Sequence, residues 1–179
     1  MTLFLDRDGV INKRIIDGYV RSWDEFVFED GVLEAIQILS QHFETIIVVT
    51  NQQGIGKRIM TEEDFSLISD KMKEELAKTG GRIDAVLHCS ALRNEHSFCR
   101  KPSVGMGLKA RRLYPQIRFK DSIMAGDSFS DMLFGKWLKM KTILIDDSPK
   151  LPRQYPRIIN MRFNSLLQFA KYIRDEENM

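Results

Sequence analysis

Leu3-Phe4-Leu5-Asp6-Arg7-Asp8-Gly9 decides the reading of this chain: an apolar run leads straight into two carboxylates one residue apart, with a glycine directly behind them. The lead-in reads as a strand and the glycine as a tight turn, so the acids stand at the strand's carboxyl end. Paired acids there repel each other and lose solvation, which a fold tolerates poorly unless a cation shares the site. In open α/β sheets that edge is where ligands bind.

Outward from this stretch, strand-like and helix-like segments alternate. Thr45-Ile46-Ile47-Val48-Val49-Thr50 is β-branched enough for a buried parallel strand. Residues 84–88, 122–125 and 141–145 read as three more. Val32, Ala35, Ile36, Leu39 and Phe43 mark one helix face, and Phe65, Ile68, Met72 and Leu76 another. The second opens with Thr61 and Asp64 in capping-box spacing. Further helices are expected around Leu108 to Arg112, Met132 to Trp137 and Leu166 to Ile173. The alternation predicts an α/β fold: a doubly wound, mainly parallel, Rossmann-like sheet with helices on both faces. The 179 residues are read as one domain, 1–179, with a Pro- and charge-rich surface loop at 146–156.

Lys plus Arg number 27 against 25 Asp plus Glu, an excess too small to argue for nucleic acid but suited to a small anionic substrate. No apolar run reaches membrane-spanning length, and the acidic motif begins too early to leave room for a leader. The two cysteines, Cys89 and Cys99, read as thiols of a reducing compartment, not as a disulfide framework. A cytoplasmic protein with neither a nucleic-acid nor a membrane partner is expected.

Polar residues recur where the strands should stop: Asp6 and Asp8, then Thr50-Asn51, then Gly126-Asp127 with Asp131 beyond, while Lys101 follows a loop after the third strand. A parallel sheet gathers such ends at one edge. Carboxylates, a hydroxyl and an ammonium together fit phosphoryl transfer through a covalent intermediate. One carboxylate attacks phosphorus, and a second protonates the leaving oxygen and then activates water. Hard oxygen ligands favour Mg²⁺, and Thr50 and Lys101 would hold the transferring oxygens. Gly54-Ile55-Gly56-Lys57 is no phosphate loop, because Asn51 stands where its first glycine should be and Arg58 follows the lysine.

Phe4-Leu5-Asp6-Arg7-Asp8-Gly9-Val10-Ile11-Asn12 resembles motif I of the haloacid dehalogenase superfamily of phosphatases. Thr50-Asn51-Gln52-Gln53-Gly54-Ile55-Gly56 resembles motif II, Arg100-Lys101-Pro102 motif III, and the run from Gly126 to Asp131 motif IV. Within the superfamily the chain is most similar to the heptose 1,7-bisphosphate phosphatases and the related histidinol phosphatases, through Gly18-Tyr19-Val20, the TNQ run and the segment from Cys99 to Met106.

The resemblance implies Asp6 as nucleophile and Asp8 as general acid/base. It implies Thr50, Asn51 and Lys101 as phosphate ligands; from the residues themselves, Lys13, Arg14, Lys57, Arg58 and Arg100 are candidates to contact a second phosphate, Arg100 the best because it adjoins Lys101. Mg²⁺ would be held by Asp6, the backbone carbonyl of Asp8, and Asp127. Asp131 is a weaker candidate, equally readable as a helix first-turn acid. No large cap domain is expected. The implied substrate is a small sugar phosphate, heptose 1,7-bisphosphate first, with histidinol phosphate or a polynucleotide 3′-phosphate as alternatives. A phospho-acceptor receiver domain is the rival of another class, and it lacks a carboxylate at the place of Asp8.

In the resembling family a zinc loop precedes motif III. Cys89 and Cys99 match its outer ligands, but Ala91 and Ser97 replace the inner ones, so zinc is not expected. A rearranged set with His88 and His96 is the alternative. Ser128 stands where that family carries a basic residue.

Overall fold

The computed structural model describes residues 1–148 and 157–177. Its centre is a six-stranded sheet in the order β3-β2-β1-β4-β5-β6, every pairing parallel. The strands are β1 (Thr2–Leu5), β2 (Thr45–Asn51), β3 (Ala85–Cys89), β4 (Ser122–Gly126), β5 (Lys141–Ile145) and β6 (Met161–Phe163). Five were expected; β6, three residues long, is too short to show a period and pairs with β5. Residues 149–156 of the expected surface loop lie outside the described residues.

Alternate side chains of each strand serve opposite faces, and each face meets its own helices. Leu3, Leu5, Ile46, Val48 and Ile143 pack with α1 (Val32–His42), α3 (Glu62–Lys78) and α6 (Leu166–Glu177). Phe4, Ile47, Val49 and Met124 pack with α4 (Gly105–Leu113) and α5 (Phe129–Trp137). A single-turn helix, α2 (Gln53–Gly56), follows β2 directly and was not expected. Thr61 and Asp64 form the capping box of α3, as their spacing suggested. Only α1 among the longer helices separates β1 from β2, and only α2 and α3 separate β2 from β3, so neither interval carries a cap.

The winding direction reverses between β1 and β4. In a sheet of this order that switch point opens a crevice beyond the strand ends. Asp6 and Asp8 leave β1 there.

The cysteines correct an expectation. Cys89, the last residue of β3, and Cys99 are joined in a disulfide, their Cα atoms 5.6 Å apart. The loop after β3 turns back on its own start, so the two sulfurs meet within a separation of ten residues. Bonded to each other, they are not metal-binding thiolates. His88 is turned to Glu62, 2.7 Å from its carboxylate.

Candidate active site

Asp6 is fixed as β1 ends, its N–H donating to the Ala125 carbonyl of β4 at 3.0 Å. Lys101 reaches it from the loop after β3. Its Nζ lies 2.9 Å from Asp6 Oδ1 and 2.5 Å from Asp131 Oδ1, and donates to the Val49 carbonyl at 2.6 Å. Asn51, ending β2, steers that loop. Its Nδ2 donates to the Lys101 carbonyl at 3.1 Å, and its Oδ1 accepts from the Lys101 N–H at 2.9 Å.

Asp131 takes the helix first-turn place that was one of the two readings made of it. Its Oδ2 accepts from the Ser128 N–H at 3.0 Å, capping α5, while its Oδ1 faces Lys101. Two glycines permit the approach. A Cβ on Gly9, whose φ is +90°, would lie 2.1 Å from Asp127 Oδ2, and one on Gly126 would lie 2.4 Å from the Asp131 Cβ.

Carboxylate oxygens of Asp6, Asp127 and Asp131 all lie within 4.8 Å of one another. Burial, then the charge of Asp131, pushes Asp6 up to about 6 despite Lys101. Burial, then the charges of Asp6 and Asp131, pushes Asp127 up to about 8. Such mutual destabilisation is relieved by a bound cation, and the all-oxygen donor set fits Mg²⁺. Arg14 already leans on this cluster: its Nη2 lies 2.9 Å from Asp127 Oδ1 and 3.2 Å from the Asp8 carbonyl.

The Asp8 side chain faces elsewhere. Its Oδ1 accepts from Arg7 Nη2 at 2.9 Å and Asn12 Nδ2 at 3.0 Å, and its Oδ2 from Gln52 Nε2 at 2.7 Å. The same Gln52 nitrogen donates to Thr50 Oγ1 at 2.9 Å. Burial alone would raise Asp8, but the Arg7 charge and these hydrogen bonds outweigh it and hold the acid below its ordinary value. Sequence reasoning did not single out Arg7, Asn12 or Gln52, although all three stand inside the motif stretches.

Asp6, Asp8, Thr50, Asn51, Arg100 and Lys101 line one cavity of about 290 Å³. Arg14, Tyr19 and Arg93 complete its mouth. From the start of α2, Gln53 ties two segments of this rim: its Nε2 donates to the Tyr19 hydroxyl at 2.9 Å, and its Oε1 accepts from the Arg93 N–H at 3.1 Å. Arg100 donates to the Ala91 carbonyl at 3.0 Å; burial, then the charge of Arg93, lowers its pKa. Two guanidinium groups close enough to repel each other invite an anion. Of the other cations considered for a second phosphate, Lys13 pairs outward with Asp30 at 3.4 Å, and Lys57 lies over the Tyr19 ring at 5.5 Å.

With these motifs on this fold, the site is that of a haloacid dehalogenase superfamily phosphatase. Residues 4–165 match the family model of polynucleotide kinase 3 phosphatase. The chain is 34% identical over 175 residues to a D-glycero-alpha-D-manno-heptose-1,7-bisphosphate 7-phosphatase of Campylobacter jejuni, covering 98% of this chain and 96% of that one. It is 35% identical over 180 residues to the beta-anomer enzyme of Photorhabdus laumondii, covering 96% and 94%. Among solved structures, the D,D-heptose 1,7-bisphosphate phosphatase from B. bronchiseptica, complexed with magnesium and phosphate, superposes with a TM-score of 0.85 at 28% identity over 98% of both chains. The chain belongs to the polynucleotide kinase 3 phosphatase family. Among the described residues no helix is long and apolar enough to cross a membrane.

Proposed function

We propose that this chain hydrolyses a phosphomonoester of a small bisphosphorylated sugar, D-glycero-D-manno-heptose 1,7-bisphosphate first, through an aspartyl-phosphate at Asp6. The observation that carries the chemistry is the meeting of Asp6, Lys101 and the Asp127 cluster at the end of β1, with Asp8 two residues from the nucleophile. Asp6 attacks phosphorus in line with the leaving oxygen, and Asp8 protonates that oxygen and then takes a proton from the attacking water. Each such proton transfer contributes about 10²–10⁴-fold in rate. The Thr50 hydroxyl, the Asn51 region and Lys101 hold the non-bridging oxygens as charge builds. Asp6, Asp127 and the Asp8 carbonyl are the groups that would hold Mg²⁺, with Asp131 committed to Lys101 and to its helix. When bound, Mg²⁺ supplies the charge that offsets repulsion between a carboxylate nucleophile and a phosphate dianion.

Two features support the substrate. The full-length relatives carry the heptose bisphosphate name, and Arg93 and Arg100 offer a second anion site at the mouth of the same cavity. The deciding experiment is phosphate release with Mg²⁺ from heptose 1,7-bisphosphate, both anomers, against histidinol phosphate and a 3′-phosphorylated oligonucleotide. Preference for the bisphosphate by kcat/KM is expected. Preference for the oligonucleotide would overturn the substrate, and a single stoichiometric phosphorylation without turnover would make the chain a receiver-like acceptor.

A further inference from the structure

We propose that Asp8 works through one oxygen only, Oδ2, and that Arg7, Asn12 and Gln52 are the positioning residues that impose this. The inference rests on the phosphatase reading above but not on which sugar is the substrate. A carboxylate offers about four lone-pair sites, two on each oxygen. On Oδ1 both are taken, by Arg7 Nη2 and Asn12 Nδ2 at 2.9 and 3.0 Å. On Oδ2 one is taken, by Gln52 Nε2 at 2.7 Å, and one is left for a proton. Because the same Gln52 nitrogen reaches Thr50 Oγ1 at 2.9 Å, that oxygen is set in register with the residue facing the phosphate.

The construction is costly, which argues that it serves the acid and not the fold. Arg7 is fully buried, and its Nε and Nη1 find no hydrogen-bond partner among the described residues; neither does Asn12 Oδ1. Leaving buried donors unpaired destabilises a fold, so what keeps Arg7 here is what it does reach: its guanidinium lies 5.5 Å from the centre of the Phe65 ring and its Nη2 donates to Asp8. What Arg7 provides and an apolar chain would not is the bond to Asp8.

In the reaction, Oδ2 takes up the proton of the bound phosphomonoester monoanion, the Asp6 oxygen bonds to phosphorus as the bond from phosphorus to the leaving oxygen breaks, and that proton passes from Oδ2 to the leaving oxygen. Water then attacks phosphorus, one of its protons returns to Oδ2, and the bond from phosphorus to Asp6 breaks to release phosphate. A displaced Asp8 therefore harms a leaving group that needs a proton and spares one that does not.

The test compares kcat/KM, which reports steps through transfer to Asp6, for glycerol 3-phosphate and p-nitrophenyl phosphate with Mg²⁺. Nitrophenolate departs as a stable anion; the glycerol alkoxide does not. Arg7→Met and Gln52→Met should each lose at least about tenfold more on glycerol 3-phosphate than on p-nitrophenyl phosphate. Arg7→Lys, which retains a donor, should recover part of the split. Equal losses on both substrates, or none, would overturn the assignment. If Arg7→Met does not fold, Gln52→Met decides by the same comparison. A wild-type chain that releases phosphate neither from these two substrates nor from heptose 1,7-bisphosphate would overturn the phosphatase reading with it, so the two failures are distinguishable.

Discussion

One nitrogen of Arg14, Nη2, lies 2.9 Å from the Asp127 carboxylate and 3.2 Å from the carbonyl of Asp8. A divalent ion held by those oxygens and this guanidinium contend for the same two ligands. The Arg14 side chain is half exposed, so it is free to swing outward, whereas Asp127, directly after β4, is mostly buried and its carboxylate lies close against Gly9. Arg14→Met should tighten Mg²⁺ binding by about tenfold, the scale of a hydrogen bond between charged groups. Isothermal titration of metal-stripped protein measures this, with Lys13→Met as the control for loss of a nearby charge. Unchanged or weaker binding in Arg14→Met would show that the arginine helps the metal or ignores it.

Asp127 gives a pH dependence whose sign follows from its shift. Its folded-state value, about 8, stands above the ordinary 3.8, so between these limits the native state keeps a proton that the unfolded chain has released. That contribution to stability is present below the lower value and is lost as pH rises toward the upper one. In EDTA, the melting temperature of wild type relative to Asp127→Asn should therefore fall as pH is raised from about 4 to about 8. Mg²⁺ added at the high end should restore it. A difference that rises with pH would mean that Asp127 is stabilised as a carboxylate by the fold alone.

The Cys89–Cys99 disulfide holds the loop that delivers Arg100 and Lys101. Closing a short loop in this way contributes about 2–3 kcal/mol by restricting the unfolded chain. Cys99→Ser should lower stability to denaturant by that order and lower kcat/KM by freeing Lys101, while the Asn51 pair to Lys101 keeps turnover measurable. Full stability and activity in Cys99→Ser would mean that the loop is held by its other contacts.

Much of this arrangement was legible because parallel topology leaves little choice. Asp6, Thr50 and Asp127 end or follow strands whose apolar runs are unmistakable, and once those strands are parallel their ends must share an edge. The faces of α1 and α3 were equally plain, since Ile36, Leu39, Ile68 and Met72 keep a helical period over several turns. β6 was hidden because three residues carry no period. The disulfide was hidden for another reason: two cysteines ten apart say nothing until the loop after β3 doubles back. Arg7 and Gln52 were passed over because their roles depend on which way the backbone turns after a strand. Composition alone makes a buried arginine between two acids look like a solvated charge.

The central claim is that Asp6 becomes phosphorylated, and trapping that ester tests it most directly. Asp8→Asn should slow its hydrolysis. With p-nitrophenyl phosphate and Mg²⁺, followed by borohydride reduction and peptide mass spectrometry, residue 6 should be found as homoserine, and no other aspartate should be reduced. Reduction at a different carboxylate, or at none while nitrophenolate is still released, would contradict the account.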